Sequence, residues 1–232
     1  MKAAAEFDQF ADAYEADLNQ ALAASGEDQN YFARGRVSFL AQCLRNLQQV
    51  PRSVMDYGCG IGGTAVLLTE LVGATSVVGL DISERSIARA RGEHGGNTVS
   101  FQTFDQYKPA ADLDLVYCNG VFHHIPLTER EAAVRYILRS LRPGGLFAFW
   151  ENNPWNPGTR YVMAKCVFDR DAQTLTPPQA KRMLRDAGFE IIRTDFLFYF
   201  PRALRPLRFL EPWFERLPLG AQVQVLCRKH VS

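Results

Sequence analysis

Three features are scarce in this sequence: net charge, paired cysteines and long apolar runs. The 232 residues carry a formal net charge of +1, so the basic surplus of most nucleic-acid-binding proteins is missing. The cysteines are scattered, odd in number and without a C-x-x-C pair, which favours reduced thiols over a disulfide framework or a zinc site. No apolar stretch approaches the ~20 residues that span a bilayer, and the first residues lack the apolar run of a signal peptide. We therefore expect a cytoplasmic protein with neither a nucleic-acid partner nor a transmembrane segment.

Residues 53–63 organise the rest of the sequence. They read Ser-Val-Met-Asp-Tyr-Gly-Cys-Gly-Ile-Gly-Gly, an apolar run that passes into glycines, as expected for a buried strand that enters a tight turn. Good helix formers follow in residues 64–72. The turn is therefore expected to open a helix whose free N–H groups can hold an anion.

Two kinds of ligand fit this glycine turn. Gly58-x-Gly60-x-x-Gly63 matches the fingerprint of dinucleotide-binding proteins, in which the helix start receives a pyrophosphate. Asp56-x-Gly58-x-Gly60-x-Gly62 instead resembles motif I of the class I S-adenosylmethionine (SAM)-dependent methyltransferases. The spacing alone does not choose between the two.

Three further segments resemble the same methyltransferase family. Asp81 ends a second short apolar strand 18 positions beyond Gly63, close to the offset of about 20 at which a carboxylate accepts the ribose hydroxyls of a nucleotide. Residues 113–125 are similar to the family's F-D-L-V-x-x-x-x-V-L-H-H-I segment, with Leu113 at the usual Phe. Residues 141–145, Leu-Arg-Pro-Gly-Gly, match its L-[RK]-P-G-G turn. Four segments thus agree in order and spacing with a small-molecule methyltransferase.

The resemblance implies an α/β fold. It predicts a Rossmann-like, seven-stranded, mostly parallel sheet with helices on both faces and an antiparallel last strand. A single domain is expected over residues 1–232. Within it, residues 1–50 are expected to form an N-terminal helical lid, residues 51–151 the SAM-binding core, and residues 152–232 the substrate-side loop, helices and closing strands.

SAM is the cofactor that the resemblance implies, with S-adenosylhomocysteine as its product. In the family an acid after the third strand accepts a hydrogen bond from the adenine amino group, and Asp105 matches that position. An arginine before the first strand pairs with the cofactor carboxylate in some relatives, which Arg36 matches, and a tyrosine of the opening helices often lines the site, which Tyr14 matches. The full set assigned to the cofactor is Asp56, Gly58, Cys59, Gly60, Gly62, Asp81, Ile82, Asp105, Gln106, Asn119, Tyr14 and Arg36.

The acceptor side is predicted from the residues that follow the fourth and fifth strands. Methyl transfer needs a nucleophile held about 3–3.5 Å from the methyl carbon in a dry pocket. His124 is our candidate for a general base, with His123 second. Because neighbours on a strand face opposite ways, we expect no metal site from this pair. Substrate contacts are assigned to Tyr31, Phe122, Glu151, Asn153 and Trp155.

The predicted pocket lies between the N-terminal helices and the loop 151–161. The aromatic and apolar C-terminal third favours a hydrophobic metabolite or natural-product intermediate as the acceptor.

Two other functions stay open at this point. Tyr161-Val-Met-Ala-Lys165 matches the Y-x-x-x-K pair of NAD(P)-dependent short-chain oxidoreductases, although their T-G-x-x-x-G-x-G loop and upstream serine are absent. Residues 200–217 carry leucines at helical spacing with arginines nearby, a pattern typical of a segment that rests on a membrane surface or covers a lipid-like substrate. Because Pro206 and Pro212 interrupt that segment, we expect it to pack on its own domain.

Overall fold

A seven-stranded sheet forms the centre of the molecule. The computed structural model describes residues 20–166, 169 and 172–230. The strands are β1 (Ser53–Tyr57), β2 (Ser76–Asp81), β3 (Val99–Thr103), β4 (Leu113–Asn119), β5 (Leu141–Asn152), β6 (Phe189–Leu197) and β7 (Gln222–Lys229). Their spatial order is β3-β2-β1-β4-β5-β7-β6. The first five strands pair in parallel, and β7 runs antiparallel between β5 and β6. The predicted Rossmann-like fold is confirmed.

Helices cover both faces of this sheet, as predicted. They are α1 (Gln29–Asn46), α2 (Gly63–Leu67), α3 (Glu84–His94), α4 (Arg130–Ser140), α5 (Pro157–Lys165), α6 (Pro177–Asp186) and α7 (Glu211–Phe214). Val37 of α1, Leu67 of α2 and Ile87 of α3 belong to one buried cluster. Ile137 of α4 and Leu184 of α6 belong to a second. Burial of each apolar face against the sheet supplies most of the free energy that holds the helices in place.

Two expectations about the ends of strands are wrong. β4 ends at Asn119 and residues 122–124 lie in a turn, so the alternation of side chains expected for the histidine pair does not apply there. β5 begins at Leu141 rather than Leu146, because Leu141 already pairs with Leu113 and the register shifts before the next pair. The Leu-Arg-Pro-Gly-Gly segment is therefore an irregular start of β5 and not a turn that precedes it.

The N-terminal region is described only in part. Residues 1–19, and with them the cofactor candidate Tyr14, lie outside the described residues. From residue 20 onwards the region contains a 3₁₀ turn (Ala23–Ser25) and α1, separated by Gly26 in a left-handed conformation with φ of 74°. Asp28 caps α1 by accepting a hydrogen bond from the N–H of Tyr31 at 2.7 Å. The lid over residues 1–50 stays a prediction.

The amphipathic segment near the C-terminus is a 3₁₀ helix (Arg202–Leu210) followed by α7. The expectation that this segment packs on the domain is wrong for Leu204, Leu207 and Leu217, which are exposed, and the neighbouring Phe209 and Trp213 are 68% and 74% exposed. Its prolines keep it short and kinked. Among the described helices, none has both the length and the apolar character needed to cross a membrane.

Asp114 links three strands at the amino end of the sheet. Its carboxylate accepts hydrogen bonds from the N–H groups of Arg52 and Ser53 at 2.7 and 3.0 Å and from Arg142 Nε at 2.7 Å. Burial alone raises the pKa of this carboxyl, but these hydrogen bonds outweigh it and bring the pKa down to about 2. Because the pKa is lower in the folded state, the stabilisation is present above about pH 4 and is lost as the pH falls through 2.

We expect Asp114→Asn to lower the free energy of unfolding by about 1–2 kcal/mol at pH 7, and by less at pH 3. Urea denaturation at the two pH values measures both losses. Glu131→Gln is the control, because Glu131 lies at the surface in an exposed pair with Arg135, and it is expected to change stability by less than about 0.5 kcal/mol. An Asp114→Asn loss that does not depend on pH would contradict the assignment.

Candidate active site

The glycine loop after β1 is held by the end of β2. Gly58 and Gly60 adopt left-handed conformations with φ of 74° and 53°. The N–H groups of Gly58 and Cys59 donate to the carbonyl oxygen of Leu80 at 2.7 and 2.9 Å. The N–H of Gly60 donates to Asp81 Oδ2 at 2.9 Å. The loop therefore has a fixed shape before α2 begins.

Asp81 connects this loop to α3. Its Oδ1 accepts a hydrogen bond from the N–H of Ser83 at 2.9 Å. Ser83 in turn caps α3 by accepting a hydrogen bond from the N–H of Ser86 at 3.1 Å. Asp81 lies in the wall of the main cavity, where its carboxylate can also meet a ligand.

Arg36 presents a fixed positive charge to the same cavity. The side chain is buried, Nε donates to the hydroxyl of Tyr117 at 3.1 Å, and Nη1 donates to Gln222 Oε1 at 2.9 Å. These two bonds come from β4 and β7, so the sheet itself orients the guanidinium. A carboxylate is the ligand that such a group binds best.

Two buried oxygens near the carboxyl ends of β1 and β4 have no hydrogen-bond partner among the described residues: Asp56 Oδ2 and Asn119 Oδ1. Burial, then the neighbouring Asp81, raises the pKa of Asp56 to about 7, while Arg36 lowers it. A buried acceptor without a donor costs free energy. Asn119 lines the main cavity, so a ligand there with N–H donors would be stabilised, whereas Asp56 is buried outside the cavity wall.

The main cavity has a volume of about 900 Å³, within the range of small-molecule sites. It extends from the glycine loop and the carboxyl ends of β2 and β4 to α1, α5 and the segment after β6. Of the residues predicted for the site, its wall contains Tyr31, Arg36, Gly58, Gly60, Asp81, Ile82, Asn119, His123 and His124. Open α/β sheets bind ligands at this carboxyl edge.

Four residues assigned to the substrate do not line this cavity, which corrects the prediction. Phe122 is buried against Phe149 and Tyr57 in the core. Asn153 is buried and donates to the carbonyl oxygens of Pro218 and Gly220. Glu151 is buried beneath the histidine pair, and Trp155 is 46% exposed on the outside of its loop. The cavity wall is therefore supported from behind by three of these residues, Phe122, Glu151 and Asn153.

Five residues assigned to the cofactor also lie outside the cavity wall: the buried Asp56, and Cys59, Gly62, Asp105 and Gln106. Cys59 is half-buried, and burial raises the pKa of its thiol. Gly62 lies against the ring of Phe101, which a Cβ added at Gly62 would approach to 2.6 Å. Both support the loop from behind. Asp105 and Gln106 are exposed after β3, and Asp105 accepts a hydrogen bond from the Thr103 hydroxyl at 2.5 Å. Their contact with an adenine ring stays a prediction.

The histidine pair does not behave as neighbours on a strand. The pair lies in the turn after β4, and the two rings lie side by side, with centroids 4.1 Å apart. Glu151 Oε1 accepts from the N–H groups of Phe122 and His123, and Oε2 contacts His123 Nδ1 at 2.6 Å. Asp169, which the sequence did not single out, faces both rings from the other side.

These carboxylates make the two histidines electrostatically different. Burial alone lowers the pKa of His123, but Glu151 and Asp169 outweigh it and raise that pKa to about 10. Burial, then the charge on His123, lowers the pKa of His124 to about 4. His124 is the more exposed of the two and lines the cavity. Its role as a general base stays a prediction.

Comparisons with known proteins agree with this geometry. Residues 54–145 match a family model described as a methyltransferase domain. Trans-aconitate 2-methyltransferase of Azoarcus sp. (strain BH72) is 35% identical over 98 residues, which cover 41% of this chain and 37% of that protein. Phosphoethanolamine N-methyltransferase 3 of Arabidopsis thaliana is 31% identical over 164 residues, or 66% of this chain and 32% of that protein. The chain thus spans about a third of the length of these curated relatives.

A solved structure shows the same fold. An S-adenosylmethionine-dependent methyltransferase from Mesorhizobium loti has a TM-score of 0.60 and 22% identity, over 81% of this chain and 96% of that chain. The sheet order and the glycine loop first define a Rossmann-like protein with a ligand site at the carboxyl edge of its sheet. The matches to a methyltransferase domain and to SAM-dependent methyltransferases then support the family predicted from the motifs, the class I SAM-dependent methyltransferases, with SAM as cofactor. The oxidoreductase alternative has no support among these matches.

The residues in the site fit this cofactor. The unpartnered oxygen of Asn119, in the cavity wall, suits the ammonium and other N–H donors that SAM carries, and the unpartnered Oδ2 of Asp56 is buried outside that wall. The fixed guanidinium of Arg36 suits its carboxylate, and the Asp81 carboxylate suits its ribose hydroxyls. A Cβ added at Gly60 would meet no atom within 4 Å, so this part of the loop is open to a ligand.

Proposed function

We propose that this protein transfers a methyl group from SAM to a small-molecule acceptor bound in the same cavity. The observation that carries the proposal is a cavity of about 900 Å³ whose wall contains both the Asp81 end of the glycine loop and the histidine pair. A site of that size has room for a nucleoside cofactor and a metabolite together. The match of residues 54–145 to a methyltransferase domain supports it.

At the cofactor end, the chain supplies charge and shape. When bound, SAM supplies an electrophilic methyl group on a sulfonium ion. Arg36 and Asp81 bind its two polar ends, and the glycine loop leaves space for the ligand because Gly60 has no side chain. The buried carboxylate of Asp56 stabilises positive charge in this region.

At the acceptor end, the wall is mainly apolar and aromatic. Tyr31, Tyr161, Met163, Phe198 and Phe200 line this part of the cavity. Such side chains exclude water, which keeps a reacting nucleophile desolvated and holds an apolar acceptor in position. We therefore propose a hydrophobic metabolite or natural-product intermediate as the acceptor class.

Direct binding tests the cofactor first. Thermal unfolding is measured with SAM, S-adenosylhomocysteine, NADH and NADPH in parallel. A ligand at 100 times its dissociation constant adds about 2.7 kcal/mol to stability, a clear rise in Tm for a domain of this size. We expect only the two adenosyl-sulfur ligands to raise the Tm. A shift with the nicotinamides alone would overturn the proposal.

We expect Asp81→Ala to weaken S-adenosylhomocysteine binding by about 10–100-fold, because it removes hydrogen bonds to a charged group on both the ligand and Gly60. Asp81→Asn keeps the shape and one acceptor oxygen, so a smaller loss is expected. Isothermal titration calorimetry measures both. Glu84→Gln is the matched control, because Glu84 is an exposed acid in the first turn of α3. Equal binding by Asp81→Ala and the unchanged protein would contradict the assignment.

A further inference from the structure

Two histidines and an acid converge in the cavity wall just after β4. His123 Nε2 lies 3.3 Å and His124 Nε2 lies 3.5 Å from the same oxygen, Asp169 Oδ1. The ligand-capable atoms of all three residues lie within 4.8 Å of one another. Nitrogen and oxygen ligands at 2.0–2.2 Å from a tetrahedral metal ion are separated by about 3.3–3.5 Å. The two measured separations therefore match the spacing of ligands around one ion.

Glu151 decides which nitrogen of His123 faces this cluster. Its Oε2 lies 2.6 Å from His123 Nδ1, and because an ionised carboxylate only accepts hydrogen bonds, Nδ1 carries the hydrogen. The other ring nitrogen of His123, Nε2, therefore faces Asp169 Oδ1 at 3.3 Å. The contact is favourable only with a positive charge between them, either a proton or a cation. A carboxylate that holds the far nitrogen of a histidine is the usual support of a metal ligand.

We propose that His123, His124 and Asp169 bind a divalent transition-metal ion, with Glu151 as the carboxylate that orients His123. Two imidazoles and one carboxylate suit Zn²⁺, Fe²⁺ or Mn²⁺ better than Mg²⁺ or Ca²⁺, which prefer oxygen ligands. A nitrogen that binds the ion cannot also take a proton, so this role replaces that of His124 as a general base. It also replaces the expectation of no metal site, which rested on strand geometry that the turn does not have.

This inference rests on the proposed function and deepens it. Three protein ligands leave coordination positions open, and all three residues lie in the cavity wall. An acceptor with an oxygen donor, such as a hydroxyl or a carboxylate, would complete the coordination. The ion would thereby fix the polar end of an otherwise apolar acceptor.

The test is metal binding by the whole chain, treated with EDTA, dialysed and titrated with Zn²⁺ by calorimetry and with Co²⁺ by visible absorption. We expect one ion per chain and cobalt bands typical of nitrogen coordination. Asp169→Asn and His124→Asn are expected to abolish binding, and Glu151→Gln to weaken it about 10–100-fold. His94→Asn is the control, since His94 lies at the end of α3 outside this cluster. Unchanged melting curves show that the variants fold.

The outcomes separate this inference from the proposed function. No uptake of Zn²⁺ or Co²⁺, or unchanged uptake by Asp169→Asn, overturns the metal site and leaves His123 as an imidazolium paired with Glu151 and Asp169. S-adenosylhomocysteine binding is measured on the same EDTA-treated samples. Cofactor binding without metal uptake overturns only the metal site, whereas metal uptake without cofactor binding supports it and overturns the proposed methyl transfer.

Discussion

Gly58→Ala is expected to weaken the binding of S-adenosylhomocysteine by about 100-fold or more, because small displacements of a site carry penalties of that order. A Cβ at this position would lie 2.3 Å from Val121 Cγ2, far inside van der Waals contact. The backbone φ of 74° adds strain of about 1–2 kcal/mol for a residue with a side chain. Relief of both requires the loop to shift from the position in which the Gly58 N–H donates to the Leu80 carbonyl oxygen at 2.7 Å. Calorimetric titration measures the loss.

Two further variants separate the clash from the conformational strain. Gly63→Ala is the matched control, because Gly63 begins α2 and a Cβ there would meet no atom within 4 Å. Its binding is expected to stay unchanged. Val121→Ala combined with Gly58→Ala removes the clash but keeps the strained φ, so partial recovery of binding is expected. Full binding by Gly58→Ala alone would show that the ligand does not depend on this loop.

The core of the fold could be predicted because each sequence pattern in it reflects one local structural requirement. The left-handed φ of Gly58 favours glycine at the position that the motif assigns it. Ser83 precedes α3 and caps it, as residue type and position indicate. The buried strands are apolar on both faces, so Val54 and Met55 enter different clusters. Local sequence and global fold agree at these positions.

The chemistry at the end of β4 could not be predicted in the same way. The strand ends at Asn119, four residues before the first histidine, so the rule that neighbours face opposite ways does not apply to His123 and His124. Asp169 lies far along the chain, in a stretch without hydrophobic periodicity. Only the folded chain brings its carboxylate to 3.3 Å from His123.

The polar residues at the carboxyl end of β5 illustrate a second limit of prediction from the sequence. Glu151 and Asn153 come from the edge at which ligands bind, and on that ground the sequence assigns them to the substrate. In the structure their polar atoms satisfy buried backbone groups instead: Glu151 accepts from the N–H of Phe122, and Asn153 donates to the carbonyl of Gly220 at 2.8 Å. Buried backbone groups must find partners. The sequence alone does not distinguish a polar side chain that hydrogen-bonds to the backbone from one that hydrogen-bonds to a ligand.

Asp56, in contrast to Glu151 and Asn153, is a buried carboxylate whose hydrogen-bonding capacity is only partly used. It is 2% exposed, and its Oδ2 has no hydrogen-bond partner among the described residues. Burial, reinforced by Asp81 and opposed by Arg36, raises its pKa from 3.8 to about 7. Because the folded-state pKa lies above that of the unfolded chain, the folded state binds the proton more tightly. The corresponding stability is present below about pH 4 and is lost as the pH rises through 7.

Asp56→Asn is therefore expected to change stability and binding in opposite directions. At pH 8.5 the variant avoids a buried negative charge, so its free energy of unfolding should exceed that of the unchanged protein by about 1–3 kcal/mol, with a smaller difference at pH 5.5. Its affinity for SAM should fall about 10–100-fold, and for S-adenosylhomocysteine by less, because only SAM carries the sulfonium charge. Urea denaturation at both pH values and calorimetric titration with both ligands measure these changes.

The control for this variant is Asp186→Asn, at the exposed end of α6, whose side chain is 71% exposed. It should leave the pH dependence of stability and both affinities unchanged. Loss of stability by Asp56→Asn at both pH values would mean that the carboxylate is a structural acceptor in the free protein. A gain at pH 8.5 together with weaker SAM binding would instead identify Asp56 as a charge that the fold keeps, at a cost in stability, for its cofactor.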